Sequence, residues 1–153
     1  MKDYSPEFIS ELLRRLSVTS TRHVALLAQK MNLSPVEVTA MQHLQNTGGL
    51  TSGQLAERLF MTTGAITGLA DRLEEAGFLK RVLNPRDRRS RLLLLTPAGV
   101  EEIMSHLGPF IEEMEKAIAQ LSLEARESVG QFLETVIATM DPLEAIAIGG
   151  LLK

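Results

Sequence analysis

The chain has 153 residues, of which 44% are hydrophobic and 23% charged, a composition typical of one globular domain with a core of its own. It contains no cysteine, which excludes disulfides, thiolate metal sites and cysteine redox switches. The formal net charge of -3 conceals an uneven distribution: residues 78–91 hold six basic residues and one acidic residue, so this stretch carries +5 and the remainder -8.

Nothing in the sequence suggests a membrane or a secretory address. No apolar run approaches the roughly 18 to 20 residues that a transmembrane helix needs, and the first residues lack the apolar block of a signal peptide. We therefore expect a cytoplasmic protein with no membrane partner.

The first two helices are marked by capping residues. A serine–proline pair at positions 5–6 predicts the start of a first helix, which carries an apolar stripe at helical spacing. A second such pair at 34–35 is completed by Glu37 into a capping box, and it predicts a helix that stops at the glycines 48–49.

Two short helices follow with almost no chain between them. Residues 51–54 form another capping box and predict the first of these helices. After a joint at 60–61, residues 62–77 predict the second, with Ile66, Leu69 and Leu73 on one face. Two short helices with a tight joint predict a helix-turn-helix.

The periodicity changes after Gly77. The runs 79–83 and 91–95 are suited to strands, and the polar stretch "NPRDRRS" lies between them. A two-residue hairpin turn would need something like Asn-Gly, so the longer connection predicts a protruding loop between paired strands. We interpret this hairpin as a wing.

The remainder of the chain predicts two further helices. Thr96 and Pro97 predict the start of a long helix, which Gly108-Pro109 should kink. A last helix is expected from about residue 123 to residue 140. The apolar tail after Asp141 is expected to pack on a partner surface. Because the first helix and the last two cannot all bury their apolar stripes in one domain, we predict a homodimer held by these helices.

Four arginines lie in the predicted wing: Arg86, Arg88, Arg89 and Arg91. Arginine presents a planar fork of donors that suits phosphate oxygens and the negative potential of a narrow minor groove. Because Asp87 lies two residues before Arg89, we expect these side chains to pair and hold the shape of the wing. We assign Arg86, Arg88 and Arg91 to DNA. A charge run alone is usually solvated surface, but its place after a helix-turn-helix favours nucleic acid.

The candidate contacts in the helix-turn-helix are small and mostly uncharged. A helix N-terminus favours phosphate, and the second helix would enter the major groove. The two glycines of that helix either let the backbone approach DNA or pack tightly against the neighbouring helix. The candidates are Thr51 and Ser52 at the first helix, and Thr62, Thr63, Gly64, Ala65, Thr67, Gly68 and Arg72 in the second.

One motif connects these elements to a known family. The pattern Asp-x-Arg, five residues, Leu-Thr-x-x-Gly is matched by Asp87, Arg89, Leu95, Thr96 and Gly99. With "QLAERL" and "DRLEEAGFLKR", the chain resembles the MarR family of bacterial winged-helix transcription regulators. Its predicted recognition helix departs from the commonest family pattern, since its first turns lack basic residues.

The resemblance covers essentially the whole chain and carries several implications. It implies a mainly α fold with a small β-hairpin wing, built as one domain over 1–153. Residues 34–96 would form the winged helix-turn-helix lobe, and residues 5–31 and 97–153 the N- and C-terminal dimerisation helices. It further implies a pocket between dimer helices and DNA-binding lobe, suited to a small apolar or aromatic effector, with ligand-binding residues unknown.

Other kinds of site have little support in the sequence. His23, His43 and His106 are far apart and lack metal-ligand spacing, so neither a metal nor another cofactor is expected. There is no nucleophile elbow and no phosphate-binding glycine loop, so an enzyme is not expected.

These observations predict a cytoplasmic, homodimeric DNA-binding regulator of transcription, acting as a repressor on a pseudo-palindromic operator. Half-site centres should lie about 10 base pairs apart. The alternative is a winged-helix module whose basic wing docks an acidic protein surface and does not bind DNA.

Overall fold

A computed structural model describes residues 4–140. Within that range it contains six helices and three strands. In chain order they are α1 (Pro6–Met31), α2 (Pro35–Thr47), β1 (Leu50–Thr51), α3 (Ser52–Leu59), α4 (Thr63–Glu75), β2 (Leu79–Asn84), β3 (Asp87–Leu95), α5 (Pro97–Ala119) and α6 (Leu123–Met140). Within the described range the chain divides into two compact units, with the boundary after His106, inside α5.

The predicted helix starts are confirmed. The Ser5 hydroxyl accepts a hydrogen bond from a backbone N–H in the first turn of α1, at 3.3 Å. In α2, Glu37 Oε2 accepts from the backbone N–H of Ser34 at 2.8 Å, and in α3 Gln54 Oε1 accepts from that of Thr51 at 2.9 Å. In each of these two capping boxes the cap side chain also accepts from the backbone N–H three residues later. The box thus satisfies backbone donors that a helix N-terminus would otherwise leave without partners.

The core of the first unit lies between α2, α3, α4 and the sheet, and the C-terminal end of α1 packs on α2. α3 and α4 form the predicted helix-turn-helix. The turn between them begins at Phe60, which adopts a left-handed conformation with φ of 52°. Residues with almost no exposed surface include Leu27, Val38, Met41, Leu44, Leu55, Ile66, Leu69, Leu73, Leu79, Leu93 and Ile103.

The sheet has three antiparallel strands in the order β1-β3-β2. The predicted hairpin of β2 and β3 is confirmed, but the sequence analysis missed β1, whose Leu50 and Thr51 pair with Leu93 and Leu92 of β3. A strand of two residues is too short to show an alternating pattern, so periodicity could not detect it. Its consequence is that the start of α3 is hydrogen-bonded to the base of the wing.

The predicted long loop at the tip of the wing was also wrong. β3 begins at Asp87, so only Pro85 and Arg86 form the turn. The Asn84 side chain accepts from the backbone N–H of Arg86 at 3.0 Å, and this local bond makes a tight turn without an Asn-Gly pair. The register shifts from Leu83 opposite Arg91 to Asn84 opposite Asp87, so residues 88–90 bulge from the ladder.

The Leu-Thr-x-x-Gly motif joins the wing to α5. The Thr96 hydroxyl donates to the carbonyl of Gly77 at 2.6 Å and accepts from the backbone N–H of Gly99 at 3.0 Å. The Thr96 backbone N–H also donates to the carbonyl of Phe78 at 3.0 Å. A Cβ on Gly99 would overlap that same carbonyl. The motif therefore sets how closely the start of α5 approaches the end of α4.

The last two helices have the predicted bounds, although α5 continues as a helix through Pro109. α6 has no buried residue, and both helices expose apolar side chains, among them Phe110, Met114, Phe132 and Ile137. No helix in residues 4–140 is long and apolar enough to span a bilayer. The predicted partner contact of the tail after Asp141 lies outside the described residues.

Two glycine substitutions should change stability in opposite directions. Gly99→Ala should lower the free energy of unfolding by about 1 to 3 kcal/mol, because the new methyl group displaces α5 from Phe78. Gly64→Ala should raise it by about 0.5 to 1 kcal/mol, because that helix position has no atom within 4 Å of an added Cβ. Urea unfolding at one protein concentration measures both. A decrease of the same size for both variants would contradict the assigned packing.

Candidate nucleic-acid interface

α4 buries one face and exposes the other. Its buried side chains are Ile66, Leu69, Ala70 and Leu73, all facing the core. The first turns of the opposite face are open to solvent, and the helix begins at the capping residue Thr62. The predicted contacts Thr63, Gly64, Ala65 and Thr67 are exposed, as is Thr62, and Gly68 is half-buried.

The two glycines of α4 do not pack against a neighbouring helix. An added Cβ on Gly64 would have open space, and one on Gly68 would meet only Arg72 Nη1 at 3.7 Å. The packing alternative is therefore wrong for both. At these two positions the outer face of α4 has no side chain, so a base edge or a phosphate can approach the backbone closely.

Few side-chain groups on this face are available for hydrogen bonding. The Thr62 hydroxyl accepts from the backbone N–H of Ala65 at 3.2 Å, and the Thr67 hydroxyl donates to the carbonyl of Thr63 at 3.0 Å. The Thr63 hydroxyl has no hydrogen-bond partner among residues 4–140. Hydroxyls can read several bases, so this face favours weak base discrimination.

A cleft of about 560 Å³ separates the N-terminus of α3 from the wing. The start of α3 lines it with Thr51, Ser52 and Gly53, and the wing lines it with Asn84, Arg91 and one carboxylate, that of Asp87. Backbone N–H groups at a helix start carry partial positive charge, and arginine adds a full one. The cleft thus brings the predicted phosphate contacts Thr51 and Ser52 together with a predicted wing contact.

The wing arginines, Arg86, Arg88, Arg89 and Arg91, are all exposed. In the described part of the chain none of them forms an ion pair. The predicted pairing of the Asp87 and Arg89 side chains was wrong. The Asp87 carboxylate accepts from the backbone N–H of Arg89 at 3.0 Å, so Asp87 shapes the wing through the backbone and the Arg89 guanidinium remains exposed.

Arg81 connects the wing to α4, and sequence reasoning missed it. Its guanidinium donates to the carboxylates of Asp71, at 2.6 Å, and Glu74. The side chain is only 21% exposed, which distinguishes it from the other arginines of the basic stretch. The only sequence signal was its place in a strand next to an acidic helix.

Glu37 is a second residue that the sequence did not single out beyond its cap. Its side chain is 8% exposed, and its Oε1 accepts from Arg72 Nε at 2.7 Å. Burial opposes ionisation of this carboxyl, but the Ser34 backbone N–H, the Arg72 guanidinium and the Ser34 hydroxyl outweigh it and hold the pKa of Glu37 below its ordinary 4.5. Arg72, predicted as a DNA contact, is therefore bonded to α2.

Comparison with known proteins decides the family. The sequence profile of the MarR family matches residues 31–90. The HTH-type transcriptional regulator PecS of Dickeya dadantii is 30% identical over 125 residues, which cover 72% of this chain and 75% of PecS. The chain belongs to the MarR family. It is accordingly a transcription regulator, like these relatives, and not an enzyme.

Further similarities of this MarR-family chain concern a repressor and two solved structures. The transcriptional repressor MdtR of Bacillus subtilis is 32% identical over 80 residues, half of this chain and 52% of MdtR. A crystal structure of a MepR mutant from a multidrug-resistant S. aureus clinical isolate superposes with a TM-score of 0.70 at 20% identity, covering 92% of this chain and all of that one. Another S. aureus MepR mutant, bound to an oligodeoxyribonucleotide, gives 0.56 at 20% identity, covering 91% and 100%. These two structures show a shared fold.

In residues 4–140 of this MarR-family chain, no three His, Asp or Glu side chains lie together as metal ligands would. His106 approaches Glu102 one helical turn away, with Nε2 3.4 Å from Oε1. That geometry is an ordinary surface pair of a helix.

Removing the charge of Glu37 should destabilise the protein only where the carboxylate is ionised. Because its pKa is lowered on folding, its contribution is complete above pH 4.5 and is lost as the pH falls through the folded-state pKa. Glu37→Gln should therefore cost about 1.5 to 3 kcal/mol at pH 7 and progressively less in acid. Denaturant unfolding across this pH range measures the difference.

Glu113→Gln is the matched control, since Glu113 pairs with Lys116 at 2.7 Å on an exposed surface. This control should change the free energy of unfolding by less than about 1 kcal/mol at any pH. A cost of Glu37→Gln that stayed constant down to strongly acidic pH would contradict the assigned ionisation.

Proposed function

We propose that this chain is a homodimeric repressor that binds a pseudo-palindromic operator, with α4 in the major groove and the wing over the adjacent minor groove. The observation that carries the proposal is the group of exposed wing arginines, which form no ion pair with any described residue, beside a helix-turn-helix whose outer face is open at Gly64 and Gly68. The negative charge of DNA is the natural partner of such a surface.

In the proposed complex, the wing and the start of α3 contact phosphates, and α4 contacts bases. The wing arginines neutralise phosphates or enter the minor groove, while the start of α3 at Thr51 and Ser52 holds a phosphate in the cleft facing Arg91. Thr63, Gly64 and Thr67 approach base edges. Because these groups are few, most of the affinity comes from phosphates and base discrimination is modest.

The exposed guanidinium of Arg89 joins this group. Its expected partner, the Asp87 carboxylate, is bonded to backbone instead. We therefore assign the guanidinia of Arg86, Arg88, Arg89 and Arg91 to DNA and keep Asp87 as the residue that shapes the wing.

Apolar side chains on the terminal helices support the dimer. α1 exposes Leu12 and Leu16, α5 exposes Phe110 and Met114, and α6 exposes Phe132 among others. Such surface is unfavourable in water, and a two-fold interface would bury it on both protomers at once. Two α4 helices would then meet half-sites about 10 base pairs apart. The relative MdtR is named a repressor, and one MepR mutant was solved bound to an oligodeoxyribonucleotide.

A cleft in the first unit offers a place for a small apolar or aromatic effector. Its volume is about 510 Å³, and α1, α2 and α3 all contribute to it. Val24, Val36 and Leu59 supply apolar surface, and Thr21 and Thr39 supply hydroxyls. Ser20, His43 and Arg58 also line the cleft, so it offers an aromatic ligand hydrogen-bonding groups beside the apolar surface. An occupant that favours one arrangement of α1 would change operator affinity.

The rival function is a winged-helix module that docks an acidic protein surface. It uses the same exposed arginines and needs neither the bare face of α4 nor the phosphate cleft. Binding to duplex DNA and its dependence on salt separate the two functions.

Binding to DNA should weaken steeply with salt. Three or more phosphate contacts per protomer give a dimer a log–log slope of about -5 or steeper. Arg88→Gln should reduce the magnitude of this slope by about 2, since each dimer loses two contacts, and should weaken binding to all sequences alike. Fluorescence anisotropy on a duplex selected with the wild-type protein from a random pool, and on its scrambled version, measures both.

Lys116→Gln removes the same charge from an exposed position of α5 and is the control, with no change in slope expected. Absence of binding by the wild type at low salt, or an affinity that does not change with salt concentration, would contradict the DNA-binding function and favour its rival.

A further inference from the structure

Glu37 is the one buried charged or polar side chain among the described residues. Burying a carboxylate is costly unless its oxygens are fully bonded. One oxygen of Glu37 accepts from the backbone N–H and the hydroxyl of Ser34, both at 2.8 Å, and the other from Arg72 Nε at 2.7 Å. The capping box alone would need only the first oxygen. The second oxygen ties α2 to α4 across 35 residues of sequence.

Arg72 lies on one flank of α4, and the opposite flank is held by a different ion pair. Successive helical residues point about 100° apart, so Asp71 lies on the outer face and Glu74 on its far flank, about 160° from Arg72. Both of these carboxylates pair with Arg81 of β2. α4 is thus bonded to its neighbours on two sides, to α2 and to the wing, and these bonds act together with the packed inner face in fixing its rotation about the helix axis.

We propose that Arg72 and Glu37 are positioning residues that set the rotation of the recognition helix, and that Arg72 is not a contact to nucleic acid. This inference rests on the proposed DNA-binding function. It replaces the assignment of Arg72 to DNA, which followed only from its being a basic residue on that helix.

The charge balance explains why Arg72 adds little to phosphate binding. Its guanidinium is 2.7 Å from a carboxylate that is almost inaccessible to water, so the pair as a whole is neutral. A neutral pair displaces few counterions from DNA. The wing arginines have no such partner in the described chain and keep their full charge.

Rotation of α4 affects specific and non-specific binding differently. Thr63, Gly64 and Thr67 meet base edges only if the outer face points into the groove, whereas the wing arginines reach phosphates of any sequence. Loss of the Arg72–Glu37 pair therefore weakens binding to the operator without weakening non-specific binding.

Arg72→Gln and Glu37→Gln test this inference on the selected duplex and on its scrambled version, with Arg88→Gln as the control for a phosphate contact. Both positioning variants should bind the selected duplex about fivefold or more weakly, equivalent to at least one lost base contact. Binding of Arg72→Gln to the scrambled duplex and its salt slope should equal those of the wild type, whereas Glu37→Gln leaves the Arg72 charge without its partner and should bind the scrambled duplex no more weakly than the wild type does. Arg88→Gln should lower binding to both duplexes and reduce the slope.

A reduced slope for Arg72→Gln, matching that of Arg88→Gln, would overturn the inference and make Arg72 a phosphate contact. Wild-type affinity of Glu37→Gln for the selected duplex would overturn it as well. Circular dichroism verifies folding, and if Glu37→Gln fails to fold, Arg72→Gln decides alone, since its side chain is 61% exposed and the capping box stays intact. Failure of the DNA-binding function itself is distinguishable, because the wild type and Arg88→Gln would then show no salt-dependent binding.

Discussion

Two ion pairs bond α4 to its neighbours on either side of its packed inner face, and the candidate interface depends on where these contacts hold the helix. Glu37 holds one flank to α2, and Arg81 holds the other to the wing. Apolar packing through Ile66 and Leu69 anchors the inner face. Only the first turns and the outer face remain open, and because Arg81 links β2 to the same helix, helix and wing form one continuous surface.

The arginines of α4, β2 and the wing fall into two groups, those that are paired with carboxylates and those that are exposed. Arg72 and Arg81 are paired with carboxylates and stabilise the arrangement of elements. The arginines of the wing have no ion-pair partner in the described chain, and the tight turn at residues 84–87 projects them from the sheet. A chain with an acidic body can therefore present a basic surface to DNA. In the proposed function, affinity comes mainly from this surface, and the few polar groups on the outer face of α4 supply limited discrimination between bases.

Local signals predicted much of the fold, and contacts across the chain explain what they missed. The caps at Ser5, Ser34 and Thr51 act within four residues, so their helices could be placed from sequence. β1 is too short to show a pattern, and the turn at the wing depends on one side-chain bond of Asn84. The pairs of Arg72 and Arg81 join residues 35 and 10 positions apart, so sequence could not separate these arginines from those exposed to solvent. Whether the glycines of α4 were packed or open likewise required the three-dimensional neighbours.

Dimethyl sulfate footprinting of the selected duplex tests the central claim, that paired α4 helices enter major grooves while the wings cover minor grooves. Methylation at guanine N7 reports the major groove, and methylation at adenine N3 reports the minor groove. The account predicts protection of guanine N7 in two successive major grooves centred about 10 base pairs apart, with protection of adenine N3 on the outer side of each. Unchanged methylation at guanine N7, or protection confined to a single groove, would contradict it.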